Sequence, residues 1–375
     1  MRLSCLQENL CKALSIVGRI TTTKGQLPAL ENILLTTDKE RLKLSATNLE
    51  TGISFWLGAK IEKQGTLLLP ARAFSELVSS FPAEKITLEA SDNILKISCG
   101  PHEITLNGLA AGEFPAFPSF QKEKNFSLEM ESFLNGISQV IFSAAQDEGR
   151  PVLTGVQISK GKKGIALAST DGYRLSLKES PSDEEWVFDE IVISAKSLAE
   201  VLHVFLDARK EKKTLSVAVN KEGGQAVFST DSAEIYTRLI GEKFPSFEKI
   251  IPQGYSARIY FEKEDLLKAV KITSVFARDA SNIVKWEIKD DRAVISANSP
   301  QVGTNRSEIP IKKEGENGEI AFNYRYLLDF LGAVSEKELV FEMAGPLAPG
   351  VFRLSKDSSY LHIIMPVRVQ GQEAP

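Results

Sequence analysis

Hydrophobic and polar positions repeat three times along the chain with the spacing of an amphipathic helix. In three segments the apolar residues fall at relative positions 0, 1, 4 and mostly 7, which places them on one face of a helix. A short strand-like stretch precedes each of these segments. The helical segments are 10–17, 133–140 and 266–273, and the strands are 3–6, 126–128 and 258–261.

A second helix recurs in each copy, at 70–77, 194–201 and 323–330. Pro, Ser and Asn lead these helices, and these residues are favoured at or next to a helix start. Each copy then carries a basic residue two positions later and an acidic residue four positions after that. The basic residues are Arg72, Lys196 and Arg325, and the acidic ones are Glu76, Glu200 and Asp329.

Alternating segments between and after the helices predict antiparallel strands, so one copy reads strand, helix, several strands, helix, several strands. A threefold repeat of this unit predicts an α+β fold of three domains, each with two helices packed on antiparallel sheets. The predicted domains are 1–120, 125–252 and 256–369, with linkers at 114–124 and 250–257 and a polar tail at 370–375.

Composition narrows the class of protein. With 43 % hydrophobic and 25 % charged residues, the 375-residue chain is neither disordered nor collagen-like nor a coiled coil. Its net charge of −4 argues, taken alone, against nucleic-acid binding. No apolar stretch is long enough to span a membrane, the first residues lack the apolar run of a signal peptide, and the three cysteines form no close pair. We therefore expect a cytoplasmic protein without a membrane partner.

Candidate chemistry is sparse. His102, His203 and His362 lie far apart in sequence and match no metal-ligand pattern, and no phosphate-binding loop occurs, so we expect no metal, no cofactor and no catalytic residue. The most distinctive string is Thr-Asp-Gly-Tyr-Arg-Leu at 170–175, which favours a tight turn. One alternative is a cytosolic enzyme that uses Asp171, although no partner acid, base or metal motif accompanies it. Another is a repeat scaffold that binds only proteins.

Basic residues are better placed than they are numerous. They lie off the apolar stripe of the first helices and near the start of the second helices. If an assembly collected these helices on one face, that face would be basic even on an acidic protein.

The sequence resembles the bacterial DNA polymerase III beta subunits, the sliding clamps, over about residues 1–369. The resemblance is carried by the string at 170–175, by Arg-Pro-Val-Leu-Thr-Gly at 150–155, by 244–252 and by the tail at 360–368. It implies three DNA-clamp domains and a head-to-tail dimer whose six domains close a ring around duplex DNA, a non-enzymatic processivity factor.

Helix dimensions permit such a ring. Twelve helices side by side at the usual spacing give a circumference of about 110 Å. After the helix thickness is removed, a hole about 25 Å wide remains, and a DNA duplex fits in it. DNA would be retained because the ring is closed, with few and weak phosphate contacts. The resemblance together with the basic pattern assigns these contacts to Lys12, Arg19, Lys24, Arg72, Arg150, Lys196, Lys268, Lys271 and Arg325.

The resemblance also implies a groove that receives short peptides from the catalytic subunit of DNA polymerase III, the clamp loader, other DNA polymerases and repair proteins. Tyr173 stands where many members have His, and Lys249 where some have Arg, so peptide preference is expected to differ. The tail at 370–375 extends beyond the usual family end and leaves from the groove. The implied lining is Leu153, Thr170, Gly172, Tyr173, Arg174, Leu175, Pro245, Lys249, Ile250, Asn323, Tyr326, Met365, Pro366, Val367 and Arg368.

For the dimer contact, the resemblance implies a strand of the first domain and a region of the third. The residues expected there are Ile104 and Leu106 in the first domain and Val275 and Phe276 in the third.

Overall fold

A computed structural model describes residues 1–22, 27–118, 120, 125–162, 164–182, 188, 190–207, 213–220, 222–279 and 281–368. Lys24 and the tail at 370–375 lie outside the described residues. The chain forms two compact units. The first consists of Met1–Glu131 with Glu200–Leu239, and the second consists of Ser132–Ala199 with Ile240–Pro375.

Six α-helices lie within the described residues, at the six positions that the periodicity predicts. The first helix of each repeat begins three residues earlier than predicted, because the apolar stripe starts only after a mostly polar first turn. The side chains of Asn323 and Ser194 cap α6 and α4: Asn323 Oδ1 accepts from Arg325 N at 3.0 Å, and Ser194 Oγ accepts from Ser197 N at 3.1 Å. The helices are α1 Gln7–Val17, α2 Ala71–Ser80, α3 Met130–Val140, α4 Ala195–Phe205, α5 Lys263–Ala277 and α6 Tyr324–Ala333.

Strands supply most of the remaining structure, and all of their pairings are antiparallel. In chain order they are β1 Arg2–Leu6, β2 Asn32–Asp38, β3 Arg41–Thr47, β4 Thr51–Gly58, β5 Lys60–Lys63, β6 Thr66–Pro70, β7 Lys85–Ser91, β8 Ile94–Cys99, β9 His102–Asn107, β10 Asn125–Glu129, β11 Gly155–Lys160, β12 Gly164–Thr170, β13 Arg174–Pro181, β14 Ile191–Ser194, β15 Thr214–Asn220, β16 Gln225–Ser229, β17 Ala233–Arg238, β18 Ala257–Glu262, β19 Ile283–Ile288, β20 Arg292–Ser299, β21 Gly303–Pro310, β22 Lys312–Gly315, β23 Gly318–Asn323, β24 Glu338–Met343, β25 Gly350–Leu354 and β26 Tyr360–Ile364.

Each unit contains one large and one small sheet. The first unit has an eight-stranded sheet in the order β10-β15-β16-β17-β4-β3-β2-β6 and a five-stranded sheet in the order β5-β1-β7-β8-β9. The second unit has a nine-stranded sheet in the order β14-β11-β12-β13-β26-β25-β24-β18-β22 and a four-stranded sheet in the order β21-β20-β19-β23. The predicted central domain is therefore shared between the units, because its strands hydrogen-bond to strands of both neighbouring repeats.

The two large sheets have the same plan. Read from β10 to β6, the first sheet matches the second sheet read from β18 to β14, strand for strand, with β22 as an additional edge strand. The same backbone therefore recurs around two different sets of side chains, and this correspondence positions both sites described below.

Aromatic residues fill much of the core of the second unit. Trp286 is 1 % exposed and packs edge-on against Phe322 and Phe341, with ring centroids 5.6 and 5.4 Å apart. Phe330 continues this cluster towards β26, where its ring stacks on that of His362. Edge-to-face packing adds stabilisation beyond buried area, so these rings hold the sheets and helices of this unit in one arrangement.

Candidate functional site

A groove of about 200 Å³ opens on the second unit beside the turn that joins β12 to β13. Its walls come from a single helical turn at Pro151–Thr154, the β12–β13 turn, the segment after Phe244 and the end of β26. Most of the lining is apolar, as expected of a site that binds a hydrophobic ligand. The lining residues are Arg150, Leu153, Thr170, Gly172, Tyr173, Arg174, Leu175, Pro245, Ser246, Phe247, Ile250, Ile363 and Met365.

The turn at 170–174 is held by its own side chains. Thr170 Oγ1 donates to the Arg174 carbonyl at 2.6 Å, and Asp171 Oδ1 accepts from the backbone N–H groups of Tyr173 and Arg174 at 2.8 and 3.0 Å. Gly172 has a φ of +93°, a conformation that suits glycine. Asp171 is thus occupied in shaping the turn, and Tyr173 projects from it with 62 % of its surface exposed.

Arg174 lies in the groove wall with a guanidinium fixed from several sides. Its Nε donates to Asp171 Oδ2 at 3.0 Å, and its Nη1 donates to Asp329 Oδ2 at 2.6 Å. The ring of Tyr326 lies 4.6 Å from the guanidinium carbon. Only 7 % of the Arg174 side chain is exposed, so these partners hold the group in one orientation.

Met365 and Arg150 complete the rim of the groove. Met365 N donates to the Tyr173 carbonyl at 2.8 Å, which extends the pairing of β26 with β13 by one residue. The thioether side chain is 37 % exposed. Arg150 Nη2 donates to the Asp171 carbonyl at 3.0 Å, so a residue that the sequence assigned to DNA contact lines this groove.

Nine of the fifteen residues predicted for the groove line this cavity. Lys249, Asn323, Tyr326, Pro366, Val367 and Arg368 are not part of its lining. Sequence reasoning missed Ser246, Phe247 and Ile363. The sequence carries a signal for two of these three: Ile363 lies two residues before Met365 on the same strand face, and Phe247 follows Phe244 in a segment that recurs at 114–117.

A buried polar chain lies behind the groove. Ser176 Oγ bonds to Ser143 Oγ at 2.7 Å and to His362 Nδ1 at 2.8 Å, and all three residues have no exposed surface. Burial, together with the nearby charge of Arg174, lowers the pKa of His362 to about 3. His362 Nε2 has no partner among the described residues. This serine–histidine contact is sealed from any substrate and belongs to the core.

The eight described residues predicted to contact DNA are all exposed. Four of them form ion pairs: Arg72 with Glu76 at 2.9 Å, Arg19 with Glu200 at 2.8 Å, Lys196 with Glu148 at 3.5 Å, and Lys12 with Asp207 at 3.9 Å. Within the described part of the chain, no carboxylate pairs with Lys268, Lys271 or Arg325. The acidic residues that recur in the second helices therefore have different partners. Two of them pair with predicted DNA contacts, whereas Asp329 pairs with Arg174 of the groove.

The residues predicted for the dimer contact lie on accessible parts of each unit. Ile104 and Leu106 belong to β9, an edge strand of the five-stranded sheet, and are half-buried. Val275 on α5 is 54 % exposed, and Phe276 is half-buried. Ile272, one helical turn before Phe276, is 53 % exposed and extends this apolar surface.

Two kinds of site are not found in the part of the chain that the structure describes. No group of three or more His, Cys, Asp or Glu residues is arranged to hold a metal ion. None of the described helices combines the length and apolarity needed to cross a membrane.

Three repeats of one α+β unit, joined through large antiparallel sheets, place the chain among the clamp proteins. Models of the DNA polymerase III beta subunit match it in succession, with the N-terminal domain at residues 1–118, the central domain at 127–246 and the C-terminal domain at 248–368. The chain belongs to the DNA polymerase III beta subunit family.

Individual relatives agree with this assignment. The beta sliding clamp of Synechococcus elongatus is 27 % identical over 99 % of this chain and 100 % of its own length. The DNA polymerase III beta subunit structure from Thermotoga maritima has a TM-score of 0.89 at 26 % identity, covering 98 % of this chain and 99 % of its own. The polymerase sliding clamp structure from Bacillus subtilis has a TM-score of 0.90 at 25 % identity, with the same coverage.

Membership of this family confirms the fold class and the function expected from the sequence. The family consists of sliding clamps, non-catalytic processivity factors of DNA polymerase. Within the described residues, the distinctive string at 170–175 forms a turn and a groove wall, and the interpretation as a cytosolic enzyme built on Asp171 is not favoured. The inference from net charge alone, which argued against a role on nucleic acid, is wrong for a protein of this family.

Proposed function

We propose that two copies of this chain close head to tail into a ring around duplex DNA and tether a replicative polymerase to it. Two chains with three repeats each supply six domains, which is the number that the resemblance requires. The edge strand β9 and the exposed apolar surface of α5 support a head-to-tail contact, because each offers pairing or burial that a second copy would satisfy.

Retention in such a ring is topological. Each cation that neutralises a phosphate releases counterions, so many tight contacts would make binding strong and arrest sliding. Four of the eight described cations are already paired with carboxylates, which supports a weak and mobile contact. Lys268, Lys271 and Arg325 are the strongest candidates for direct phosphate contact.

We propose that the groove docks short peptides of the polymerase III catalytic subunit, the clamp loader and other replication and repair proteins. The observation that carries this proposal is the combination of an apolar cavity with a fixed guanidinium in its wall. Leu153, Leu175 and Ile363 provide a rigid apolar floor for a hydrophobic anchor. Met365 and Tyr173 at the rim are exposed and able to adapt to different partners.

The positive charge of Arg174 contributes little to ligand recognition in this groove. Arg174 is bonded to both Asp171 and Asp329, so two carboxylates already compensate its charge before a ligand arrives. The remaining N–H groups of the guanidinium suit a neutral acceptor such as a peptide carbonyl. We therefore expect apolar shape, rather than acidic residues of the peptide, to dominate affinity.

Retention on DNA provides the test of the ring. The chain loaded onto nicked circular DNA should stay bound through a high-salt wash and be released when the circle is linearised. Sedimentation should give a dimer of twice the 41.3 kDa chain. A monomer at every concentration, or equal loss from circles and linear DNA, would contradict the ring.

Peptide binding tests the groove separately. The double variant Met365→Ala with Arg174→Ala should lose binding of a peptide from the polymerase catalytic subunit and remain a dimer. Leu206→Ala is a matched control, because Leu206 is an apolar side chain 44 % exposed outside the groove. Unchanged peptide affinity in the double variant would refute the assignment.

We also place the chain in the cytoplasm, where replication proteins of this family act. The three cysteines, Cys5, Cys11 and Cys99, are free thiols in the structure, as a reducing compartment maintains them.

A further inference from the structure

The first unit repeats the frame of the groove, beginning with its turn. Between β3 and β4, Thr47 Oγ1 donates to the Thr51 carbonyl at 3.0 Å, and Asn48 Oδ1 accepts from the N–H groups of Glu50 and Thr51 at 3.0 and 2.7 Å. Leu49 has a φ of +74°. The turn between β12 and β13 has the same hydrogen bonds and the same positive φ at its third residue. Its residues Thr170, Asp171, Gly172, Tyr173 and Arg174 thus correspond in order to residues 47–51.

The strand register extends the correspondence into the rest of the site. Gly52 of β4 lies opposite Tyr236 of β17, just as Leu175 of β13 lies opposite Ile363 of β26. Arg238 N donates to the Glu50 carbonyl at 3.0 Å, as Met365 N donates to the Tyr173 carbonyl at 2.8 Å. The counterparts of Leu175, Ile363 and Met365 are therefore Gly52, Tyr236 and Arg238.

The segments that cover the two sites also correspond. Phe-Pro-Ala-Phe at 114–117 matches Phe-Pro-Ser-Phe at 244–247. In both, the two phenylalanine rings meet edge to face, with centroids 5.6 Å apart for Phe114 and Phe117 and 6.2 Å apart for Phe244 and Phe247. Phe117 is thus the counterpart of Phe247, a residue of the groove wall.

Different side chains fill the equivalent space in the two sites. In the first unit the ring of Phe117 stacks on Tyr236 at 4.7 Å with an interplanar angle of 13°. A Cβ added at Gly52 would lie 2.4 Å from Cε1 of Phe117, so the ring occupies space that a side chain such as Leu would need. In the second unit Leu175 and Ile363 fill this layer, and Phe247 stays in the wall of an open groove.

The cleft that remains beside Phe117 has a different character. It measures about 220 Å³, close to the groove in size, but polar groups form much of its lining. An apolar anchor that entered it would meet hydroxyl, amide and charged groups where the groove offers Leu175 and Ile363, and the ring of Tyr236 is already covered by that of Phe117. The polar lining residues are Thr47, Glu50, Thr51, Gln225, Thr237 and Arg238.

We propose that Phe117 is an internal ligand: its ring closes, from within the chain, the site that corresponds to the open groove. Gly52 and Tyr236 are the residues that admit the ring. The consequence is that each chain presents one peptide groove rather than two. A closed clamp of two chains therefore presents two grooves. This rests on the proposed role of the groove as a peptide site.

The test removes the aromatic ring of Phe117 and counts the peptide-binding sites on the full-length chain. The probe is a fluorescein-labelled octapeptide copied from residues 113–120, whose fifth residue is the side chain that the closed site normally holds. Phe117→Ala should bind one more copy of this peptide per chain than the wild type does. The control is Phe120→Ala, which removes a ring that is only tilted against Tyr236, at 6.1 Å, and should leave the number of sites unchanged.

Folding is checked by circular dichroism, and Phe117→Val, which keeps an apolar side chain, is measured in the same way if the alanine variant does not fold. Equal numbers of sites in the wild type and in folded Phe117 variants would overturn the proposal, as would an additional site in Phe120→Ala. Failure of the groove itself gives a different result, since the wild type would then bind no polymerase peptide and Met365→Ala with Arg174→Ala would change nothing.

Discussion

Glu200 pairs with Arg19, one of the residues that we propose contact DNA. Both of its oxygens bond to Arg19, with Oε2 at 2.8 Å from Nε and Oε1 at 3.4 Å from Nη2. The Glu200 side chain is 19 % exposed and that of Arg19 is 41 % exposed. Glu200→Gln keeps the shape of the side chain but removes its charge, which frees the guanidinium for a phosphate. A partly exposed pair contributes about 1 kcal/mol or less to stability, so the variant should fold.

The expected effect is on the salt dependence of DNA binding. One additional phosphate contact steepens the slope of log K against log salt concentration by about 0.9. Between 50 and 200 mM salt this corresponds to about a 3.5-fold greater loss of affinity than in the wild type. Binding at 50 mM should itself be tighter, and diffusion of the loaded ring along DNA should be slower.

The assay is fluorescence anisotropy of a labelled duplex titrated with protein at several salt concentrations. Glu62→Gln is the matched control, because Glu62 pairs with Arg2 at 3.0 Å and neither residue is predicted to contact DNA. The double variant Glu200→Gln with Arg19→Gln should lose the gain. An unchanged slope in Glu200→Gln, or the same increase in Glu62→Gln, would refute the idea that Glu200 masks Arg19.

Three other predictions concern the core, the groove and the dimer. Because burial lowers the pKa of His362 to about 3, the unfolded chain binds a proton below pH 6.5 that the folded chain does not. Stability should therefore fall as the pH falls, by about 2 kcal/mol between pH 8 and pH 5 in urea unfolding, and His362→Gln should lack this share. Asp329→Asn should loosen Arg174 and weaken peptide binding about fivefold, equivalent to about 1 kcal/mol, whereas Glu264→Gln on the exposed start of α5 should not. Val275→Glu should shift sedimentation to monomer and abolish retention on circular DNA, and a dimer of wild-type strength would exclude this surface from the contact.

The sequence was sufficient to predict the repeated frame, because the frame depends on local patterns. Helices 10–17 and 323–330 were visible from apolar spacing, and the turn at 170–172 was visible from Asp and Gly at fixed offsets. The first helix of each repeat was predicted to start three residues late, because the prediction began at the apolar stripe and the first turn of these helices is mostly polar. The division of the central domain between two units was not predictable, because it depends on which strands pair across repeats.

The candidate site was predictable only where its residues lie on the distinctive strings. Ile363 and Phe247 lie within these strings but were missed, because an apolar residue on or beside a predicted strand is interpreted as core until the pairing register is known. The ion pairs of Lys12 with Asp207 and of Arg19 with Glu200 join residues remote in sequence, so spacing could not reveal them. Arg150 was assigned to DNA contact by the resemblance, and its place at the groove rim depends on a bond to the Asp171 carbonyl that the sequence does not reveal.

The side chains that differ between equivalent positions of the repeated frame determine which copy of a site can bind a ligand. A duplicated frame offers every site more than once, and identical side chains would therefore make the chain bind its ligand at each copy. At the turn the frame tolerates either Asp171 or Asn48, because one side-chain oxygen is enough to hold it. One layer deeper, the exchange of Leu175 for Gly52 decides whether a neighbouring phenylalanine remains in the wall or enters the site. A single packing difference can thus restrict docking to one groove in each chain without altering the backbone on which the clamp depends.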